Sequence, residues 1–386
     1  VTEPTFSLPD VATGHAFENE TMPDEQLPPP PQETLVEVIY PAGKGALGLR
    51  GDRAPLSWEH TEKPADSRGD RHLFRIPVPP GEFLELKLMR KEEDWAAGRN
   101  DVVHAGDHLH LEPCFDRRGG TLQPLAHLDD GGVPLAFDAF LPPSYGEQQS
   151  KRYPVLYCLD GQSLWSSSQD PFGVWNLDLA LNTLWDLGAI EEIIVVGVHT
   201  AQQRLERLSP VADAEHGGGE APKHLEAIAD RLRPWVNSQF RTRTGREDTA
   251  ILGSSMGGLL AFCATWTRPD VFGSAACLSS SFWWGDRYAV LRVAQSEPPA
   301  PRPRLYIDSG AALNPGEGDV NARDGFHHAR AMFRALTARG YTPGVDLHRM
   351  VFTGATHDAA SWSERVGIPL QLLFAAEAAH VIAAKR

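Results

Sequence analysis

Apolar and polar side chains alternate in three early segments, Leu35-Val36-Glu37-Val38-Ile39-Tyr40, His72-Leu73-Phe74-Arg75-Ile76 and Glu82-Phe83-Leu84-Glu85-Leu86-Lys87-Leu88. A period of two predicts strands with one buried face. Turn-forming residues separate these segments at short intervals, so residues 33–116 are expected to form a small all-β sandwich. From Leu122 onward the pattern changes. Leu135–Leu141, Pro154–Leu159, Glu192–Val198, Pro303–Asp308 and Leu347–Phe352 read as strands, several of them apolar throughout, as in strands buried on both faces. Between them, Leu225, Ile228, Leu232, Trp235 and Val236 recur at helical spacing. So do Ala329, Met332, Phe333 and Leu336, closed by Gly340 as a C-cap. Strands alternating with helices predict a mostly parallel central sheet covered on both faces, an α/β domain over residues 117–386.

The start of the chain carries no such pattern. Residues 1–32 are polar and proline-bearing, with Leu27-Pro28-Pro29-Pro30-Pro31 near their end, and predict an extended arm. Its expected place is across the chain's own surface or on the partner of a homodimer. At 386 residues and 41% hydrophobic, the chain is long enough for two domains with real cores. The formal charge of −15, from 36 basic and 51 acidic residues, argues against nucleic acid as a partner. No run of 18 apolar residues is present, so no membrane span is expected. The absence of a secretory signal leans towards the cytoplasm, although a start at Val1 is compatible with a processed leader. Cys114, Cys158, Cys263 and Cys277 lack metal-ligand spacing and are expected to be buried thiols. No metal, nucleotide or flavin motif occurs, so neither a metal nor a cofactor is expected.

Chemistry concentrates where the apolar run Ala250-Ile251-Leu252 enters Gly253-Ser254-Ser255-Met256-Gly257 and continues into Gly258–Phe262. A G-x-S-x-G on a strand-to-helix turn exposes a serine hydroxyl on strained backbone, the nucleophile elbow of α/β-hydrolases. A serine needs a base, and of 15 histidines His357 is best placed. It follows the strand Leu347–Phe352 through a small-residue loop, whereas His348 lies within that strand and His327 and His328 open a helix. The acid should follow the strand ending at Asp308. Asp319 is favoured, with Glu317, Asp324 and Asp308 as alternatives and a serine–histidine dyad as a further one. Oxyanion donors are expected from the backbone N–H of Met256 and of Gln162.

Four ordered motifs carry a resemblance. Tyr153–Gln162 (Y-P-V-L-Y-C-L-D-G-Q), the elbow, Leu278–Trp284 (L-S-S-S-F-W-W) and Gly354–His357 with Trp362 together resemble the esterase family that includes enterochelin esterases, feruloyl and acetyl esterases, S-formylglutathione hydrolase and mycolyltransferases. The resemblance covers roughly residues 122 to 386. It implies an α/β-hydrolase fold, serine catalysis by Ser255 and His357, and an oxyanion loop at Tyr153–Gly161. It also implies that Phe282, Trp283 and Trp284 face the substrate cleft, whose shape Trp165 and Trp175 influence. Arg204 and Arg207 are the basic residues expected near that cleft, Arg204 alternatively serving as a brace. The run Gly217-Gly218-Gly219 fits a mobile loop beside it. Pro55–Trp58, Glu85–Leu88 and Asp94–Asn100 resemble starch-binding-type modules, which would make Trp58, Trp95 and Asn100 a sugar platform. The leading expectation is a serine carboxylester hydrolase acting on a small-molecule ester, as in enterochelin esterases. Hydrolysis or acyl transfer on carbohydrate-linked or short acyl esters is the second reading. A carbohydrate-binding scaffold with an inactive hydrolase is the third.

Overall fold

A computed structural model describes residues 32–116, 118–129, 131–200, 203–312 and 324–376. The arm expected over residues 1–32 therefore falls almost wholly outside the described residues.

The alternating segments form two four-stranded sheets. In one, Gln32–Ile39 lies between Arg71–Val78, antiparallel, and His108–Leu111, parallel. In the other, Phe83–Arg90 lies between Leu47–Gly51 and the strands Asp94–Trp95 and Asp101–His104. Because successive strand residues point to opposite faces, Val36, Val38, Phe74 and Ile76 from one sheet meet Leu49, Leu84, Leu86 and Leu88 from the other in a single core. Glu147, just beyond this β-rich region, is 6% exposed and ties it to the rest of the chain. Its carboxylate accepts from Tyr40 Oη (2.5 Å), from Arg90 Nη1 (3.1 Å) and from the backbone N–H of Phe115 (2.8 Å) and Asp116 (3.0 Å).

The central sheet runs, in spatial order, Ala126–Leu128, Leu135–Leu141, Ile194–His199, Val155–Leu159, Thr249–Ser254, Ser274–Leu278, Arg304–Gly310 and Leu347–Phe352, with Thr121–Leu122 paired beside Leu135–Leu141. From Ile194–His199 onward every pairing is parallel. Uniformly apolar strands suit this position, since helices cover both faces. Residues of the helices Met256–Thr267, Trp284–Gln295 and Phe326–Ala338 contribute to one core. Residues of Leu177–Asp186, Ala359–Arg365 and Gly367–Leu373 contribute to the other. Leu225, Ile228, Leu232 and Val236 are buried on Ala221–Gln239, with a π-helical turn at Ile228–Leu232. A π turn inserts a residue into the helical ladder, so a strict 3.6 period cannot anticipate it.

Two details differ from expectation. Gly217 and Gly218 pair with Asp213 and Ala212 in a two-stranded hairpin, so the glycine run is a turn-and-strand element rather than an open loop. All three glycines there have positive φ, which explains why glycine occupies them. The strands also extend a residue or more beyond their apolar runs, because backbone pairing continues where side-chain hydrophobicity stops. The four cysteines are buried and unpaired by disulfides. Among the described residues no helix is long and apolar enough to cross a membrane.

Candidate active site

Ser255 sits between the strand Thr249–Ser254 and the helix Met256–Thr267 with φ 55° and ψ −120°. Such backbone costs of order 1–3 kcal/mol and persists only where the surroundings impose it. They do. A Cβ on Gly253 would come 2.5 Å from the backbone of Gly257, and one on Gly258 would come 2.2 Å from Ser280 Oγ. Gly257 is less constrained, since a Cβ there would make an ordinary 3.4 Å contact with Asp160 Oδ2. The crowding therefore rests on Gly253 and Gly258.

The turn aims the Ser255 hydroxyl at His357. Oγ lies 3.0 Å from His357 Nε2, and 3.3 Å from Ser281 Oγ. On the other side of the ring, Nδ1 lies 2.6 Å from Asp324 Oδ1. An ionised carboxylate only accepts, so in the neutral ring Nδ1 carries the proton and Nε2 accepts from the serine. Trp362 stands edge-on to the imidazole at 5.2 Å between centroids, further fixing its plane.

Asp324 is 1% exposed. Its second oxygen, Oδ2, accepts from Ser279 Oγ at 2.6 Å and from the N–H of Gly310. The acid favoured from sequence, Asp319, and its neighbour Glu317 lie outside the described residues. The carboxylate that the structure brings to His357 is Asp324, one of the alternatives to Asp319. Asp308 does not reach His357. It is fully buried, taking Arg365 Nε at 3.0 Å and Tyr306 Oη at 3.0 Å on Oδ2, and the N–H of Ser279 at 3.0 Å on Oδ1.

The N–H of Met256 begins the helix at Ser255, and Gln162 lies in the short 3-10 turn Gly161–Ser163 after the strand Val155–Leu159. This turn nestles against the sheet: a Cβ on Gly161 would come 2.6 Å from the backbone of Gly197. Asp160, at φ 60°, anchors it by accepting from Thr200 Oγ1 (2.6 Å) and from Arg204 Nε (2.9 Å) and Nη2 (2.7 Å). Arg204 is thus engaged as a brace of the loop rather than turned to the cleft, the forked guanidinium matching the carboxylate. Arg207 bonds the Pro134 carbonyl and Gln203.

The aromatic residues expected at the cleft divide. Trp283 is 42% exposed, two residues beyond Ser281. Phe282 is fully buried against Phe262, and Trp284, 2% exposed, donates Nε1–H to the Val211 carbonyl. Both belong to the main hydrophobic core of the α/β domain. Trp165 is buried and stacked on Phe140, and Trp175 is buried against Trp362. The hairpin rests on the tryptophan pair, His216 lying 6.1 Å from Trp283 and 5.8 Å from Trp284 between centroids. In the β-rich region Trp58 and Trp95 meet edge to face at 6.1 Å and 65°, not as a flat platform, and Asn100 Nδ2 donates to Glu85 at 2.7 Å. Among the described residues no cluster of three His, Cys, Asp or Glu side chains is arranged to hold a metal.

Sequence reading assigned no role to Ser279 or to Arg365, which lies on the helix after His357. The available signal was the spacing His357-x₄-Trp362-x₂-Arg365, which places a tryptophan and an arginine on one helical face three residues apart. It also missed His224, 1% exposed, with neither ring nitrogen bonded among the described residues. Burial, and then the charge of Arg207, push its pKa from 6.5 down to about 4. Between those values the unfolded chain binds a proton that the folded protein refuses, so stability falls as pH drops below 6.5. At pH 5 the loss is about 2 kcal/mol. Urea midpoints at pH 7 and pH 5 should therefore converge in a His224→Met variant, and equal pH dependence in variant and wild type would contradict this account.

Known proteins similar to this chain include esterases. A fungal "Siderophore triacetylfusarinine C esterase" from Aspergillus fumigatus is 31% identical over 166 residues, 40% of this chain and 54% of the relative. An "Endo-1,4-beta-xylanase/feruloyl esterase" from Xylanibacter ruminicola is 23% identical over 365 residues, 89% of this chain and 44% of the relative. The chain thus spans about half the length of either. An IroE-like serine hydrolase from Shewanella oneidensis superposes with a TM-score of 0.51 at 23% identity, over 66% of this chain and 80% of that one, and shares the α/β-hydrolase fold. The model of the Esterase family, described as "Putative esterase", matches residues 132–366, and the chain belongs to that family.

Proposed function

We propose that the protein is a serine carboxylester hydrolase working through an acyl-enzyme, with trilactone siderophores as its substrate class. The unbroken hydrogen-bonded chain Ser255–His357–Asp324 is the observation that carries the reading. His357 Nε2 takes the Ser255 proton as Oγ attacks the ester carbonyl, and Asp324 stabilises the imidazolium that forms. The oxyanion rests on the N–H groups of Met256 and Gln162, where losing one donor costs about 3 kcal/mol. The C–O bond to the leaving alcohol breaks as His357 returns the proton. Water, deprotonated by the same imidazole, then releases the acid. Siderophore esters are favoured over other esters by the named activity of the fungal relative.

A panel of ferric and metal-free enterobactin, feruloyl and acetyl sugars and short p-nitrophenyl esters tests the substrate class. The highest kcat/KM is expected on a trilactone. Turnover confined to sugar esters would move the substrate to carbohydrates, in line with the xylanase/feruloyl esterase relative, and would make Trp58 and Trp95 the next residues to change.

A further inference from the structure

Beneath the imidazole, two fully buried carboxylates share one guanidinium. Arg365, 3% exposed, binds Asp308 through Nε (3.0 Å) and Nη2 (3.3 Å), and its Nη1 donates to the Ser361 carbonyl at 3.1 Å. That would already complete a structural ion pair. Yet Nη2 also donates to Ser279 Oγ at 2.6 Å and lies 3.5 Å from Asp324 Oδ2. Trp362 Nε1 donates to the same Ser279 Oγ at 3.1 Å. A hydroxyl has two acceptor positions and one proton. With both acceptor positions occupied by Arg365 and Trp362, the Ser279 proton is directed to Asp324 Oδ2. Ser279 itself is held at φ 44°, a costly backbone for a serine, by its N–H bond to Asp308.

We propose that Arg365 is a positioning residue of the reaction: through Ser279 it fixes which oxygen of Asp324 faces His357, and its charge lets Asp308 and Asp324 occupy one buried site. The inference rests on the hydrolase reading of Ser255. The titratable and charged groups around the pair are His357, Arg365, Tyr306, Cys277 beside Asp308, and Asp358 beside Arg365. Burial pushes Tyr306 and Cys277 upward, so both are neutral at working pH. Burial also pushes Asp308 above the ordinary carboxylate range. Among the described residues, therefore, Arg365 supplies the permanent cation. Without it, two carboxylates at one dry site bind a proton more readily, because neither has a cation left to offset the other's charge. The proton must then leave before the pair can support an imidazolium.

The test is the pH dependence of kcat/KM on p-nitrophenyl acetate for wild type, Arg365→Met, Arg365→Lys and Ser279→Ala, each checked for folding by near-UV circular dichroism. For Arg365→Met the acid limb should move up by about one pH unit or more. Arg365→Lys retains the charge and should return the limb to its wild-type position with a lowered kcat, because an ammonium cannot reproduce the fork. Ser279→Ala keeps the Asp308–Arg365 pair and should lower kcat by about 10²-fold with KM unchanged. A wild-type acid limb in Arg365→Met overturns the proposal. If that variant does not fold, a wild-type kcat in Ser279→Ala overturns it instead. Ser255→Ala run alongside separates the two ideas: turnover in that variant refutes the hydrolase reading, whereas an inactive Ser255→Ala beside unaltered Arg365 and Ser279 variants refutes only the positioning role.

Discussion

Replacing Ser255 with alanine should reduce ester turnover by about 10⁶-fold. In the proposed mechanism this hydroxyl forms the covalent bond to the acyl group. Ser281 Oγ lies 3.3 Å from Ser255 Oγ, and Ser255 Oγ itself lies 3.0 Å from His357 Nε2. The substitution removes one partly buried oxygen and leaves the φ 55° backbone in place, so the fold should persist and KM should hold. Labelling by a fluorophosphonate probe should disappear with the activity. Retention of more than a percent or so of wild-type kcat would mean another nucleophile serves.

Asp324→Asn should cost about 10⁴-fold in kcat, and the reason lies in the hydrogen bonds at the other oxygen. Ser279 Oγ and the Gly310 N–H both donate to Oδ2, so an amide must place its carbonyl oxygen there. Its NH₂ then faces His357 Nδ1, which is obliged to accept. The ring proton moves to Nε2, and the imidazole can no longer take a proton from Ser255. Substrate contacts are untouched, so kcat should fall with little change in KM. A loss smaller than tenfold would show that His357 works without this carboxylate and would favour the dyad alternative.

Some of this site was legible in the sequence because its determinants are local. The Ser255 turn announces itself through glycines that sterics demand, and His357 through its place after the strand Leu347–Phe352. The sheet was legible for a similar reason: strands buried on both faces leave little room for polar residues, as in Val155–Leu159. The acid was not. Glu317, Asp319 and Asp324 fall within one short stretch of sequence, and spacing says nothing about which carboxylate meets His357, which lies 33 positions beyond Asp324. Residue type also failed to separate Trp283, on the surface, from Phe282 and Trp284 beside it, because an aromatic ring serves equally in core and cleft. Arg204 was placed near the chemistry, but its partner Asp160 lies 44 positions away and determines that it braces the loop. Arg365 and Ser279 are separated by 86 positions and meet only in the folded sheet.

Glu147 bears on how such a chain tolerates change. Two of the donors it accepts from, the N–H groups of Phe115 and Asp116, belong to the main chain. Any residue but proline supplies an N–H, so side chains along that stretch can drift without severing the attachment. Tyr40 and Arg90 refine the grip with chemistry that only certain residues provide. The joint between the β-rich region and the hydrolase is thus part universal and part bespoke, and an N-terminal region borrowed from another protein would need a compatible backbone course first and matching side chains second.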